Sequence, residues 1–115
     1  MKMKLSENYV NLTDSIVYNQ LYALKYPAED RTNLEKEYKE ITELLSELKT
    51  YLKSDYKLQQ LEFAAKEIED AFAMFREGKD GYKKMENALE YIDRSKKKAP
   101  PKTNFISGKK GVIEL

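Results

Sequence analysis

Apolar residues recur along this chain at alternating spacings of three and four, which is the period of an amphipathic helix. The clearest stripe predicts a helix from Thr32 to about Lys53. Its six members are Leu34, Tyr38, Ile41, Leu45, Leu48 and Leu52. Glutamate and lysine fill most of the positions between them. One face of this helix therefore suits a protein core and the other suits water.

A second stripe follows the first but is out of phase with it. Its members are Leu58, Leu61, Ala65, Ile68, Phe72 and Phe75. One continuous helix would place Asp55 and two other polar residues in the apolar seam, where burial is costly. We therefore predict a turn at Ser54 and Asp55, and a separate helix from Asp55 or Tyr56 to Glu77. So short a connection makes the two helices antiparallel neighbours.

The pattern predicts a third helix after a glycine-containing connection. Gly78 suits the position just past a helix end, and residues 79–81 read as the loop. The next helix carries one apolar face, formed by Tyr82, Met85, Leu89 and Ile92. Pro100 and Pro101 end it, because proline lacks a backbone donor and disfavours helical geometry in the residue before it.

The N-terminal segment has a poorer period, because its apolar residues fall on two neighbouring stripes. Leu5, Tyr9, Leu12 and Ile16 form one stripe, and Val17, Leu21 and Leu24 form the other. The segment is either a helix from Ser6 to Tyr26, closed by Pro27, or a shorter helix from Ser15 capped by Asp14.

These elements predict an all-α antiparallel bundle of three to four helices over residues 1–101. Residues 102–115 form a short C-terminal extension, in which two apolar pairs flank a glycine-containing segment. The extension is either a small β-hairpin or a disordered tail. At 115 residues the chain has the length of one domain with its own core.

The chain contains no histidine and no cysteine, which excludes several kinds of chemistry. Disulfides, Cys/His zinc sites, Cys–His nucleophiles and Ser–His–Asp triads all need one of these residues. The helical carboxylates Glu62, Glu69 and Asp70 read as a solvated surface rather than as a metal site or a catalytic pair. We expect no catalytic residue, no metal, no cofactor and no enzymatic activity. Without a long apolar window or a secretory signal, we expect no membrane span and a cytoplasmic location.

These exclusions favour a protein that acts by binding another molecule. Its nine tyrosines are the most distinctive feature of its composition. Tyrosine supplies large contact area at low entropic cost, although half-buried tyrosines are also ordinary at a core edge. The candidate partner-binding residues are Tyr9, Tyr18, Tyr22, Tyr26 and Phe105. We expect a protein-binding regulator, such as a phage- or plasmid-encoded inhibitor, an immunity protein or a chaperone-like adaptor. Its stripes can extend across a subunit interface, so we also expect a homodimer.

An uneven charge distribution supports a second hypothesis. The net charge is +1, but seven basic residues and one acidic residue follow position 93. Nucleic acid or a nucleotide could bind there through Lys96, Lys97, Lys98, Lys102, Lys109 and Lys110. The near-neutral total and the presence of only three arginines weigh against this alternative.

Overall fold

The computed structural model describes residues 4–25 and 32–98, and this part of the chain consists of helices and short connections, with no strand. The four α-helices are α1 (Leu5–Tyr22), α2 (Thr32–Tyr51), α3 (Asp55–Arg76) and α4 (Tyr82–Ser95). A 3₁₀ turn, Ala23–Lys25, follows α1. The expected all-α bundle is confirmed, with four helices. The C-terminal extension, and with it the choice between a hairpin and a tail, lies outside the described residues.

The four helices form a ring in which each packs against two neighbours. Helix α1 contacts α2 and α4, and α3 contacts the same two helices from the other side. At one end of the α1–α4 pair, the Tyr9 hydroxyl lies 2.9 Å from Ser95 Oγ. At the other end, Gln20 donates to Glu86 at 2.7 Å. The start of α1 thus meets the end of α4, so these helices are antiparallel.

Helices α2 and α3 are also antiparallel, and ion pairs join them near both ends. Lys49 Nζ lies 2.7 Å from Glu62 Oε2 beside the connection. Arg76 Nε lies 2.6 Å from Glu35 Oε2 at the far end. Both pairs are largely exposed, so each contributes little stability and mainly reports the direction of the helices.

The core follows the predicted stripes of α2 and α3 closely. On α2, Leu34, Ile41, Leu45 and Leu48 are buried, and Tyr38 is half-buried with its ring centroid 5.3 Å from that of Phe72. Helix α3 buries more than its stripe predicted. The extra buried residues are Gln60, Ala64 and Ala71, whereas Leu58 and Ala65 of the stripe are only partly buried. Alanine allows close helix approach, and α3 packs more extensively against α4 than against α2.

The predicted apolar face of α4 needs a correction. Tyr82 is 46% exposed and Leu89 is only partly buried, whereas Ala88 and Ser95 join Met85 and Ile92 in the core. The buried face therefore lies one position earlier than predicted at two places: Gly81 is buried instead of Tyr82, and Ala88 instead of Leu89. Small residues occupy it because α3 lies close to α4.

The connections confirm two of the turn predictions. Ser54 is the N-cap of α3, where its Oγ accepts from the Lys57 N–H at 3.3 Å. Gly78 has a φ of 77° just past the end of α3. Around it the Gly78 N–H donates to the Phe75 carbonyl and the Lys79 N–H to the Met74 carbonyl, which is the Schellman arrangement.

Gly81, in the same connection, is required for space. A Cβ atom there would lie 2.8 Å from the Ala71 carbonyl oxygen and 3.2 Å from Phe75 Cε1. The absence of a side chain lets the start of α4 lie directly on α3.

The N-terminal segment is one helix. It begins at Leu5, and the backbone N–H of Lys4 donates to the Glu7 carboxylate at 3.0 Å, which satisfies one donor of the first turn. The shorter helix from Ser15 was the wrong alternative. Tyr26 and Pro27, which were expected to close the segment, lie outside the described residues.

Candidate functional site

Helix α1 carries two apolar stripes, and the bundle covers only one of them. Leu12 and Ile16 of the first stripe are fully buried. In the second stripe Leu21 is 53% exposed and Leu24 is 44% exposed, and Val10 on the same side is 57% exposed. The neighbouring helices reach α1 on its inner face only, which leaves these aliphatic side chains in solvent.

The exposed residues form one surface along the helix, interrupted between Val10 and Val17 by the exposed Asp14. We call this surface the α1 outer face, formed by Val10, Val17, Tyr18, Leu21, Tyr22 and Leu24. From Val10 to Leu24 it extends about 21 Å at the helical rise of 1.5 Å per residue. The rings of Tyr18 and Tyr22 are in tilted contact with their centroids 5.1 Å apart, and Lys25 Nζ lies 5.3 Å from the Tyr22 ring centroid.

Helix α1 also has few charges. Its 18 residues include two charged side chains, Glu7 and Asp14, whereas α2 and α3 carry eight each and α4 carries six in 14 residues. Protein interfaces are depleted in charge at their centre and enriched in tyrosine. A solvated face with this composition differs from the other three helices in the direction expected of an interface.

An acidic groove runs beside the outer face, between α1 and α2. Its volume is about 360 Å³, and its lining residues are Asn11, Ser15, Glu40, Glu43, Leu44 and Glu47. We call Glu40, Glu43 and Glu47 the acidic rim. Within the described part of the chain none of the three forms an ion pair. The rim therefore presents uncompensated negative charge.

The outer face and the groove share a wall. Asn11, Ser15, Tyr18 and Tyr22 follow one another at spacings of four, three and four, so they line one side of α1. The two exposed tyrosines therefore extend the α1 wall of the groove. At its other end Tyr51 donates to Glu47 at 3.3 Å, and the pKa of Tyr51 is raised by desolvation and by the negative charge of Glu47.

The structure separates the tyrosines that were expected to bind a partner. Tyr18 and Tyr22 lie together on the outer face. Tyr9 is only 8% exposed; its hydroxyl is held by Ser95, and burial raises its pKa. Tyr9 belongs to the core and not to this surface. Tyr26 and Phe105 lie outside the described residues.

The aliphatic members of the outer face were not among the predicted binding residues. The signal was present, because Val17, Leu21 and Leu24 had been recognised as a second stripe. Periodicity alone does not show which of two stripes the bundle covers, so neither stripe could be assigned to a binding surface.

The described lysines that were proposed for nucleic-acid binding each have a different environment. Lys96 Nζ lies 5.2 Å from the Tyr9 ring centroid. Lys97 pairs with Asp93 at 3.0 Å, and this contact holds the pKa of Asp93 below its usual value. Lys98 is exposed. Lys102, Lys109 and Lys110 lie outside the described residues.

The described residues carry neither a metal-binding cluster nor a membrane-spanning helix. Among them no group of three acidic side chains has the geometry to hold a metal ion. None of their helices has the length and apolar character needed to cross a membrane. Comparison of the chain with protein-family models, with curated proteins and with solved structures found no match.

Proposed function

We propose that this chain is a non-enzymatic protein-binding protein that receives its partner on the α1 outer face. The observation that carries the proposal is the exposure of Val10 and Leu21 on α1, which has the fewest charges of the four described helices, and of Leu24 in the 3₁₀ turn that continues it. Leaving three aliphatic side chains about half exposed forfeits the remaining free energy of burying them, about 1 kcal/mol for each. A partner that covers them recovers it.

The roles that fit such a protein are regulatory: an inhibitor or an immunity protein encoded by a phage or plasmid, or a chaperone-like adaptor. Each acts by occupying a surface of another protein, and none needs a catalytic group. The four-helix bundle supplies a rigid platform, because the inner stripe of α1 is anchored in the core while the outer face stays available.

Site-specific photocrosslinking in the host cell tests this proposal. Benzoylphenylalanine in place of Leu21 should capture a defined protein. The same group in place of Lys83, which is exposed on α4, should capture none. In a second experiment, a chain carrying Val17→Glu should lose the partner at unchanged helicity, since a carboxylate in an apolar interface costs desolvation energy.

Two outcomes would contradict the proposal. Equal crosslinking from positions 21 and 83 would mean that the outer face has no preference for a partner. Retention of the partner by the Val17→Glu chain would place the interface elsewhere. If the intact chain instead binds nucleic acid with a steep salt dependence, the alternative through the C-terminal lysines replaces this one.

A further inference from the structure

We infer that the partner seated on the α1 outer face is a basic amphipathic helix of another protein, with its cations over the acidic rim. This inference rests on the proposed function and specifies the chemistry of the partner. It combines the shape of the apolar surface with the charge beside it.

The shape of the surface suits a helix. The outer face is a narrow row about four helical turns long, and a groove runs along one side of it. An amphipathic helix of similar length places side chains at three- and four-residue spacings along such a row. Tyr18 and Tyr22 lie between the row and the line of Asn11 and Ser15 that lines the groove, where aromatic side chains serve as rigid anchors.

The charge beside the face selects a cationic partner. The nearest lysines of α2, Lys36 and Lys39, lie one turn before Glu40 and Glu43, so the rim stays net negative over most of the groove. Opposite charges across an interface steer association and fix its register. A partner with lysine or arginine beside its apolar stripe meets both the row and the rim.

Asp14 gives a second reason for a cationic partner. It lies between Val10 and Val17 at spacings of four and three, and it is exposed. A purely apolar partner helix would cover this carboxylate without a counter-charge, which is costly. A lysine or arginine of the partner helix that lies opposite Asp14 would form an ion pair with it.

The same charges disfavour a second copy of this chain as the occupant. In a twofold pair with antiparallel α1 helices, each α2 lies beside the α2 of the other copy, so the acidic rims face each other. In a twofold pair with parallel α1 helices, Asp14 of one copy faces Asp14 of the other within the apolar row. Like charges in these positions destabilise the pair.

Two synthetic peptides test the inference on the full chain. Both are amphipathic helices of about 18 residues with leucine at three- and four-residue spacings; one carries lysine at the flanking positions and the other glutamate. Isothermal titration calorimetry should show binding of the lysine peptide only. Leu21→Glu should weaken that binding at least about tenfold, because a carboxylate enters the apolar contact. Phe63→Glu on the distant surface of α3 is the matched control and should leave it unchanged.

The rim is tested by replacing Glu40, Glu43 and Glu47 with glutamine together. This variant should bind the lysine peptide about three- to tenfold more weakly at low salt and should lose most of the salt dependence. Amide resonances of α1 and α2 should shift on titration. Those of the exposed side of α3 should not.

The outcomes separate failure of the inference from failure of the proposed function. Equal binding of both peptides at the outer face would keep the docking surface and overturn the basic partner. Lysine-peptide binding that survives Leu21→Glu would show attraction by charge alone and would overturn the inference. A dimer in sedimentation equilibrium that Leu21→Glu dissociates would assign the face to a second copy. Tighter peptide binding after Phe105→Asp and Ile106→Asp would assign it to the chain's own C-terminal extension.

Discussion

The hydroxyl of Tyr9 lies 2.9 Å from Oγ of Ser95, and this contact joins the first helix to the last. Ser95 Oγ also lies 2.6 Å from the Ile92 carbonyl, to which it donates. Both residues are buried, so the pair satisfies two hydroxyl groups that would otherwise be costly in the core. It closes the ring of helices at the end where α1 begins.

Tyr9→Phe should lower the free energy of unfolding by about 1 kcal/mol, the typical net value of one buried hydrogen bond. Ser95 keeps its bond to the Ile92 carbonyl in this variant, so its hydroxyl is not left unpaired. Urea denaturation followed by circular dichroism measures the change. Tyr82→Phe, on an exposed tyrosine, is the control and should shift stability by less than about 0.5 kcal/mol. Equal effects of the two substitutions would mean that the Tyr9–Ser95 contact contributes nothing.

Asn8→Leu should stabilise the bundle by about 1 to 2 kcal/mol. Asn8 is fully buried on α1, and neither polar atom of its side chain has a hydrogen-bond partner among the described residues. An apolar side chain with the same branched shape and number of heavy atoms removes that desolvation penalty. A thermal melt that shows a lower transition temperature for this variant would refute the prediction.

Asn19→Leu should destabilise the bundle, the opposite of the effect expected for Asn8→Leu, and it serves as the comparison for that variant. The Asn19 side-chain nitrogen donates to the Ser15 carbonyl and to the Glu37 carboxylate, both at 2.9 Å. Its replacement leaves a partly buried carboxylate without its donor, so we expect a loss of about 1 to 3 kcal/mol. Chemical denaturation of both asparagine variants under the same conditions measures the sign of each change in the free energy of unfolding.

Phe72→Ala should destabilise the fold by about 3 to 5 kcal/mol, because the ring is fully buried and its removal leaves a cavity. Its ring centroid lies 5.6 Å from that of Phe75, so aromatic contact is lost as well. Phe63→Ala provides the control, since Phe63 is 42% exposed and should cost less than about 1.5 kcal/mol. Similar midpoints for the two variants would show that Phe72 is not at the centre of the core.

Gly81→Ala should destabilise the bundle by about 1 to 3 kcal/mol, because the added methyl group would press against the Ala71 backbone. Gly78→Ala should cost about 1 kcal/mol for a different reason. It has open space around it, but its φ of 77° disfavours a residue with a Cβ atom. Urea denaturation of both variants measures the two losses, and an unchanged midpoint for Gly81→Ala would show that the Ala71 backbone gives way at no cost.

The sequence alone determined where α2 and α3 run and where they separate. Alternating spacings of three and four mark a helix face whatever surrounds it, and the phase change between Leu52 and Leu58 could not be buried as one helix. Gly78 and Ser54 marked helix ends because their local geometry is set by nearby backbone atoms. These features depend on interactions within a few residues, so one sequence is enough to predict them.

Only the tertiary structure decided which apolar stripe of α1 enters the core. Tyr9 and Tyr18 look alike in the sequence, but Ser95 and the end of α4 cover the first and nothing in the described bundle covers the second. The same holds for α4, where close packing on α3 selects Ala88 over Leu89. Periodicity records that a face is apolar, whereas burial depends on distant helices that arrive from other parts of the chain. For that reason the α1 outer face, and the partner inferred for it, could be located only once the bundle was assembled.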